Sequence, residues 1–138
     1  MKPTITFIVP IQDQQDFLVE QINTIFKFSE QYAGFCEIIM PTDEFENPKV
    51  NLSMLAVRLN KINHPHVRTR TICFTQKLSL ENLIETGLNL ALGDKIVIVL
   101  NAPEKTENLK INDYTSKHIF LTQYILDADM LLKNLTQD

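Results

Sequence analysis

The spacing of apolar residues along this chain switches repeatedly between strand-like and helix-like periods. Thr4 to Ile11 is a short β-branched apolar run ended by Pro10, which predicts a strand. Leu18, Ile22, Ile25 and Phe26 then recur on one helical face, with Asp13 placed to cap that helix and Asp16 in its first turn. Phe35 to Met40 is a second strand, closed by Pro41. Asn47 and Pro48 form a cap and first-turn proline, and Leu52, Leu55, Leu59 and Ile62 supply the stripe of a second helix. His64-Pro65-His66 turns the chain into a third strand, Val67 to Phe74, where Arg68 and Arg70 alternate with less polar residues as on a wet edge.

Ser79 is placed to cap a third helix with the stripe Leu80, Leu83, Ile84, Gly87, Leu88 and Ala91, and Gly93 stands at its C-terminal stop. Lys95 to Leu100 is apolar on both faces, so it reads as a central strand. Beyond residue 105 two assignments stand side by side. Leu121, Tyr124, Ile125, Ala128, Leu132 and Leu135 make a helical stripe, while Ile119 to Leu126 also reads as a strand followed by a short helix.

Alternating strands and helices require parallel strands joined by right-handed crossovers. The first and fourth strands are the most apolar and belong together in the middle. The expected architecture is therefore α/β: a single domain over residues 1–138, built as a three-layer Rossmann-like parallel sheet of order 3-2-1-4 with room for an extra C-terminal strand. The order of strands reverses between strands one and four, and such sheets hold their ligands at that switch point. The loops there are Pro10-Ile11-Gln12-Asp13 and Asn101-Ala102-Pro103.

Bulk properties narrow the function classes. With 138 residues, 44% of them hydrophobic, the chain suffices for one well-formed core. A net charge of −4 repels nucleic-acid phosphate, so nucleic acid is not an expected partner. No segment approaches the roughly 20 apolar residues that span a bilayer, and the first apolar run is too short for a signal peptide. A cytoplasmic location is expected. Cys36 and Cys73 sit in apolar stretches without metal or redox spacing and read as buried thiols. Three glycines are too few for a glycine-rich phosphate loop, and neither Gly-x-Gly-x-x-Gly nor Gly-x-x-x-x-Gly-Lys occurs.

Three stretches carry a family resemblance. Thr6-Phe-Ile-Val-Pro-Ile-Gln-Asp-Gln is similar to the first strand and helix entry of the inverting nucleotide-sugar glycosyltransferases, the family that includes dolichyl-phosphate mannosyltransferase. Phe35-Cys-Glu-Ile-Ile-Met-Pro-Thr-Asp resembles that family's second strand. Gly87-Leu-Asn-Leu-Ala-Leu-Gly-Asp94-Lys-Ile-Val-Ile-Val-Leu resembles the helix that runs into its metal-binding strand. The resemblance covers roughly residues 4 to 103 and implies a GT-A-like nucleotide-binding half. It places Pro10 on the family's proline, Asp13 on its asparagine, and Asp43 on the second acid of a pair that contacts the base of a uridine or guanosine nucleotide. Thr42 takes the first acid's place. A nucleotide or nucleotide sugar is the implied ligand, lined by Pro10, Gln12, Asp13, Asp43 and Asn101.

The chain departs from the family where a metal would bind. Asn101-Ala102-Pro103 replaces Asp-x-Asp, and an amide offers a divalent cation one neutral oxygen in place of two carboxylates. Ile84 and Glu85 replace Arg-Asn, there is no tryptophan for a Gln-x-x-Arg-Trp motif, and Asp138 comes before the family's acceptor half and catalytic base. The expectation is a glycosyltransferase-like domain without cofactor and without independent transferase activity. Mg²⁺ or Mn²⁺ enters only if the chain is catalytic, through the literal Asp-x-Asp at Asp127 and Asp129, which otherwise reads as a helix cap or solvated face.

Other candidates weigh less. His64 and His66 flank a proline without a third metal ligand, Arg68 and Arg70 share a strand face that could grip an anion, and Asp13 and Asp16 read as capping residues. A receiver domain fails because the third strand ends Phe74-Thr75-Gln76 where an aspartate is needed. The competing expectation is a non-catalytic scaffold that kept the fold, acting through a protein partner or a homo-oligomer, with an apolar tail suited to self-association.

Overall fold

The computed structural model describes residues 2–12, 18–32, 34–43, 48–100 and 118–122, together with Leu132, Lys133 and Leu135. Its strands are β1 (Ile5–Ile8), β2 (Cys36–Thr42), β3 (Arg68–Cys73), β4 (Lys95–Val99) and β5 (His118–Thr122). The helices are α1 (Leu18–Gln31), α2 (Pro48–Lys61) and α3 (Leu80–Leu90). All strand pairings are parallel, in the order β3-β2-β1-β4-β5. The expected 3-2-1-4 order is present, and β5 extends it beside β4. Of the tail, His118–Thr122 form a strand, and Leu132, Lys133 and Leu135 are helical.

Alternation along the buried strands divides the interior into two layers. Ile5, Phe7, Val9 and Ile11 point with Ile38 and Met40 toward Ile22, Ile25, Phe26 and Phe28 of α1 and Ala56 and Val57 of α2; Leu132 and Leu135 join this layer. Ile8, Ile39, Ile96 and Ile98 face the opposite way, against Leu80, Ile84 and Leu88 of α3. Helices thus cover both faces of a three-layer, Rossmann-like sheet, which is why its inner strands are apolar throughout. Ser79 caps α3 by accepting from Asn82 N at 3.1 Å.

Four local expectations change. First, Pro41 does not close β2, which continues to Thr42. The Pro41 carbonyl still accepts from Ile11 N (2.8 Å), but without an N–H the ladder toward β1 loses a rung. Second, α3 ends at Leu90, with Ala91 as its C-cap in an extended conformation, so Gly93 is not the helix stop. A Cβ on Gly93 would lie 2.6 Å from Thr6 N and 2.8 Å from the Ile5 carbonyl carbon; the glycine lets the chain pass under the start of β1. Third, Cys73 is exposed at the end of edge strand β3, and only Cys36 is buried.

The fourth concerns α2. Its sheet-facing side is Val50, Ser53, Ala56 and Val57, all buried, while Leu52, Leu55, Leu59 and Ile62 face solvent. The inward side chains are small, and the large ones, two positions further along a 3.6-residue turn, fall on nearly the opposite side.

Candidate functional site

At the C-terminal edge of the sheet, the β1–β2 ladder continues past β1 through Val9 N to Ile39 O (2.9 Å) and an isolated bridge between Ile11 and Thr42. The next residues on the two chains, Gln12 and Asp43, emerge side by side from that bridge. β4 runs parallel to β1 on its other flank, with Ile8 in register with Ile98, so the point where the strand order reverses lies between them. This is the crevice position that the order of elements predicts.

Pro10 and Ile11 beyond β1, and Thr42 and Asp43 at the exit of β2, are all buried. Gln12 is half-buried, and its Nε2 donates to Leu78 O at 3.4 Å, tying the rim to the β3–α3 connection. Asp43 is 3% exposed, yet its Oδ1 has no hydrogen-bond partner. A buried carboxylate oxygen left unpaired is costly, and this one follows β2 directly at the sheet's C-terminal edge. Pro10, Gln12 and Asp43 are thus brought together. Asp13, Asn101, Asp127 and Asp129 lie outside the described residues, as does Asp16.

Among the described residues no group of three or more His, Cys, Asp or Glu could hold a metal ion. The histidine pair has a structural explanation. His64 is buried with both ring nitrogens engaged inside the protein, Nδ1 with Asn60 O at 2.9 Å and Nε2 with a Glu30 carboxylate oxygen at 2.7 Å. Arg70 does grip an anion, but the anion is the protein's own.

That anion is Glu37, fully buried at the opposite end of the sheet under the C-terminus of α3. Glu37 accepts from Thr6 Oγ1 (2.7 Å), Leu92 N (2.7 Å) and Arg70 Nη2 (3.2 Å). Arg70 Nη2 also donates to Leu90 O at 2.7 Å, and Thr6 Oγ1 accepts from Gly93 N at 2.9 Å. The cluster joins β1, β2, β3 and the end of α3; both Glu37 oxygens and Arg70 Nη2 are spent within it, and Arg70 Nε alone is buried without a partner. It is a buried fastening and not a ligand site. Sequence reasoning missed it, although a lone carboxylate inside the apolar run Cys36–Met40 was a usable signal.

Burial pushes the Cys36 thiol up to about 12, which removes it as a nucleophile at neutral pH. Among the described residues no helix is long and apolar enough to cross a membrane. No family model matches the chain, and no curated protein matches its sequence.

Proposed function

We propose that the crevice of Pro10, Gln12 and Asp43 binds a nucleotide or nucleotide sugar, as a glycosyltransferase-like module without independent transferase activity. The observation that carries this reading is the unpaired Oδ1 of buried Asp43 at the sheet's C-terminal edge. An acceptor held there without a donor suits a ligand that brings one, and the imide N–H of uracil or the N–H edge of guanine is such a group. The resemblance of Phe35–Asp43 to the family's base-contacting strand points the same way. Asn101 in place of the first metal-binding aspartate argues for binding that needs no divalent cation.

Calorimetry with uridine and guanosine diphosphates, with and without Mn²⁺, tests the reading. One of the two should bind equally well without metal, and Asp43→Ala should weaken it about 10- to 100-fold, the range expected for losing a hydrogen bond to a charged group. The same variant should melt no lower than the parent, because it removes a buried oxygen, Oδ1, that has no partner in the free protein. Absence of binding at millimolar ligand rejects the proposal. Binding that requires Mn²⁺ and disappears in Asp127→Asn would replace it with a metal-dependent transferase.

A further inference from the structure

α2 turns its large apolar side chains outward. Leu52, Met54, Leu55, Leu59 and Ile62 are 37% to 77% exposed and make up five of the six large apolar side chains exposed among the described residues. Scattered exposed leucines are ordinary, but a contiguous set is not. Leu52, Leu55 and Leu59 of α2, with Ile62 in the turn just past its end, are spaced by three, four and three residues, the a/d spacing of a heptad seam. The opposite side of the helix is already used against the sheet by Val50, Ser53, Ala56 and Val57.

The stretch of chain that carries this ridge has formal charge of one sign, although Arg70 within it is paired with Glu37, and Glu30 of α1 meets His64 beside the end of α2. From residue 47 to residue 80 the chain has six Lys or Arg and no Asp or Glu, a net +6 that stands against −10 for the remainder and gives the total of −4. Exposed Arg58 immediately precedes Leu59, at a position that flanks a heptad seam. Lys61 lies one turn on, its ammonium bound to the carbonyl of Val67, and exposed Arg68 begins the adjoining edge strand. A second copy placed by a two-fold axis through the ridge would set these cations against themselves. An anionic bilayer would suit the charge, but the ridge is narrow and carries none of the aromatic anchors of interfacial helices.

We propose that the Leu52–Leu55–Leu59–Ile62 ridge of α2 docks an amphipathic helix of another protein, one whose apolar heptad seam is flanked by Glu or Asp. Apolar residues of that helix cover the ridge, and its acids face Arg58 and Lys61. This does not depend on the crevice binding a nucleotide.

The probe is a fluorescent synthetic peptide of about three heptads with Leu at a and d and Glu at e and g, compared with one carrying Lys at e and g. Repulsion between its own glutamates keeps the first peptide from pairing with itself at neutral pH. Anisotropy titrations at low salt should show the Glu peptide binding at least about tenfold more tightly than the Lys peptide, weakening as salt rises. Leu55→Ser with Leu59→Ser should abolish binding, and Arg58→Glu should reverse the preference between peptides. Far-ultraviolet circular dichroism and the melting temperature of each variant should match the parent, since the replaced side chains are exposed.

Binding of neither peptide, or of both alike, overturns the proposal. So does a dimer in sedimentation that Leu59→Ser dissociates, which would make a second copy the occupant. Phosphatidylserine-containing vesicles that bind the parent but not Leu59→Ser, with both peptides inert, would assign the ridge to a membrane surface instead.

Discussion

Two buried carboxylates in this chain have opposite circumstances. Glu37 receives a hydroxyl, a backbone amide and a guanidinium, whereas Asp43 leaves one oxygen unpaired. A satisfied buried acid is part of the frame; an unsatisfied one at the sheet's C-terminal edge is a candidate for binding. The two cysteines divide in a similar way. Cys36 is buried and Cys73 exposed, so iodoacetamide at neutral pH should label Cys73 alone in the folded protein and both thiols in urea, as peptide mapping would show. Burial also has a consequence for alkaline stability. The Cys36 thiol ionises near 9.0 when free and near 12 in the folded protein. Its folded pKa lies above its unfolded value, so its contribution is complete below pH 9 and is lost as pH rises toward 12. Replacing Cys36 with Ala should flatten the decline in melting temperature between those limits; an unchanged decline would mean that other groups govern it.

At the level of elements, the order of the sheet was legible because burial on both faces leaves a plain mark. Lys95–Leu100 and Thr4–Ile11 are the most apolar runs, and β4 and β1 are neighbours. The side of α2 that meets the sheet was not legible. Period 3.6 reveals that a helix has an apolar face, but α2 has two, one large and one small, and the space above the sheet selects the small one. The Glu37 cluster was hidden for another reason, since its partners Thr6 and Arg70 lie 31 and 33 residues away in the chain and meet it only through strand register. The glycines of the family-like segment have structural roles of their own. A Cβ on Gly87 would come within 2.6 Å of Ile8, and one on Gly93 would strike the backbone of β1. Gly93→Ala should therefore destabilise the protein by about 1–3 kcal/mol or more in urea unfolding, because backbone atoms, unlike a side-chain tip, cannot swing aside. A variant as stable as the parent would show that the α3–β4 connection can shift without loss.

Across the whole molecule, a gradient of burial runs through the sheet. β1 and β2 are buried along their full lengths and β4 along all but its first residue, while β3 is exposed or half-buried at every position. β3 also has an open edge, since its only ladder is to β2. Amide hydrogen exchange should follow this order. Ile5–Ile8, Ile38–Met40 and Ile96–Val99 should exchange only through global unfolding, and those amides of β3 that face away from β2 should exchange much earlier. The crevice belongs to neither group, because beyond β1 the ladder is sparse: Pro41 supplies no N–H, and Ile11 meets Thr42 only in an isolated bridge. Amides of Ile11, Gln12 and Asp43 should therefore exchange faster than those of β1 in the free protein. Saturating nucleoside diphosphate should slow these three and leave the amides along the outer face of α2 unchanged, while the Glu-flanked peptide should do the reverse. Protection of α2 by the nucleotide would contradict two separate surfaces, and a nucleotide that protects neither region would leave the unpaired oxygen of Asp43 without the ligand assigned to it.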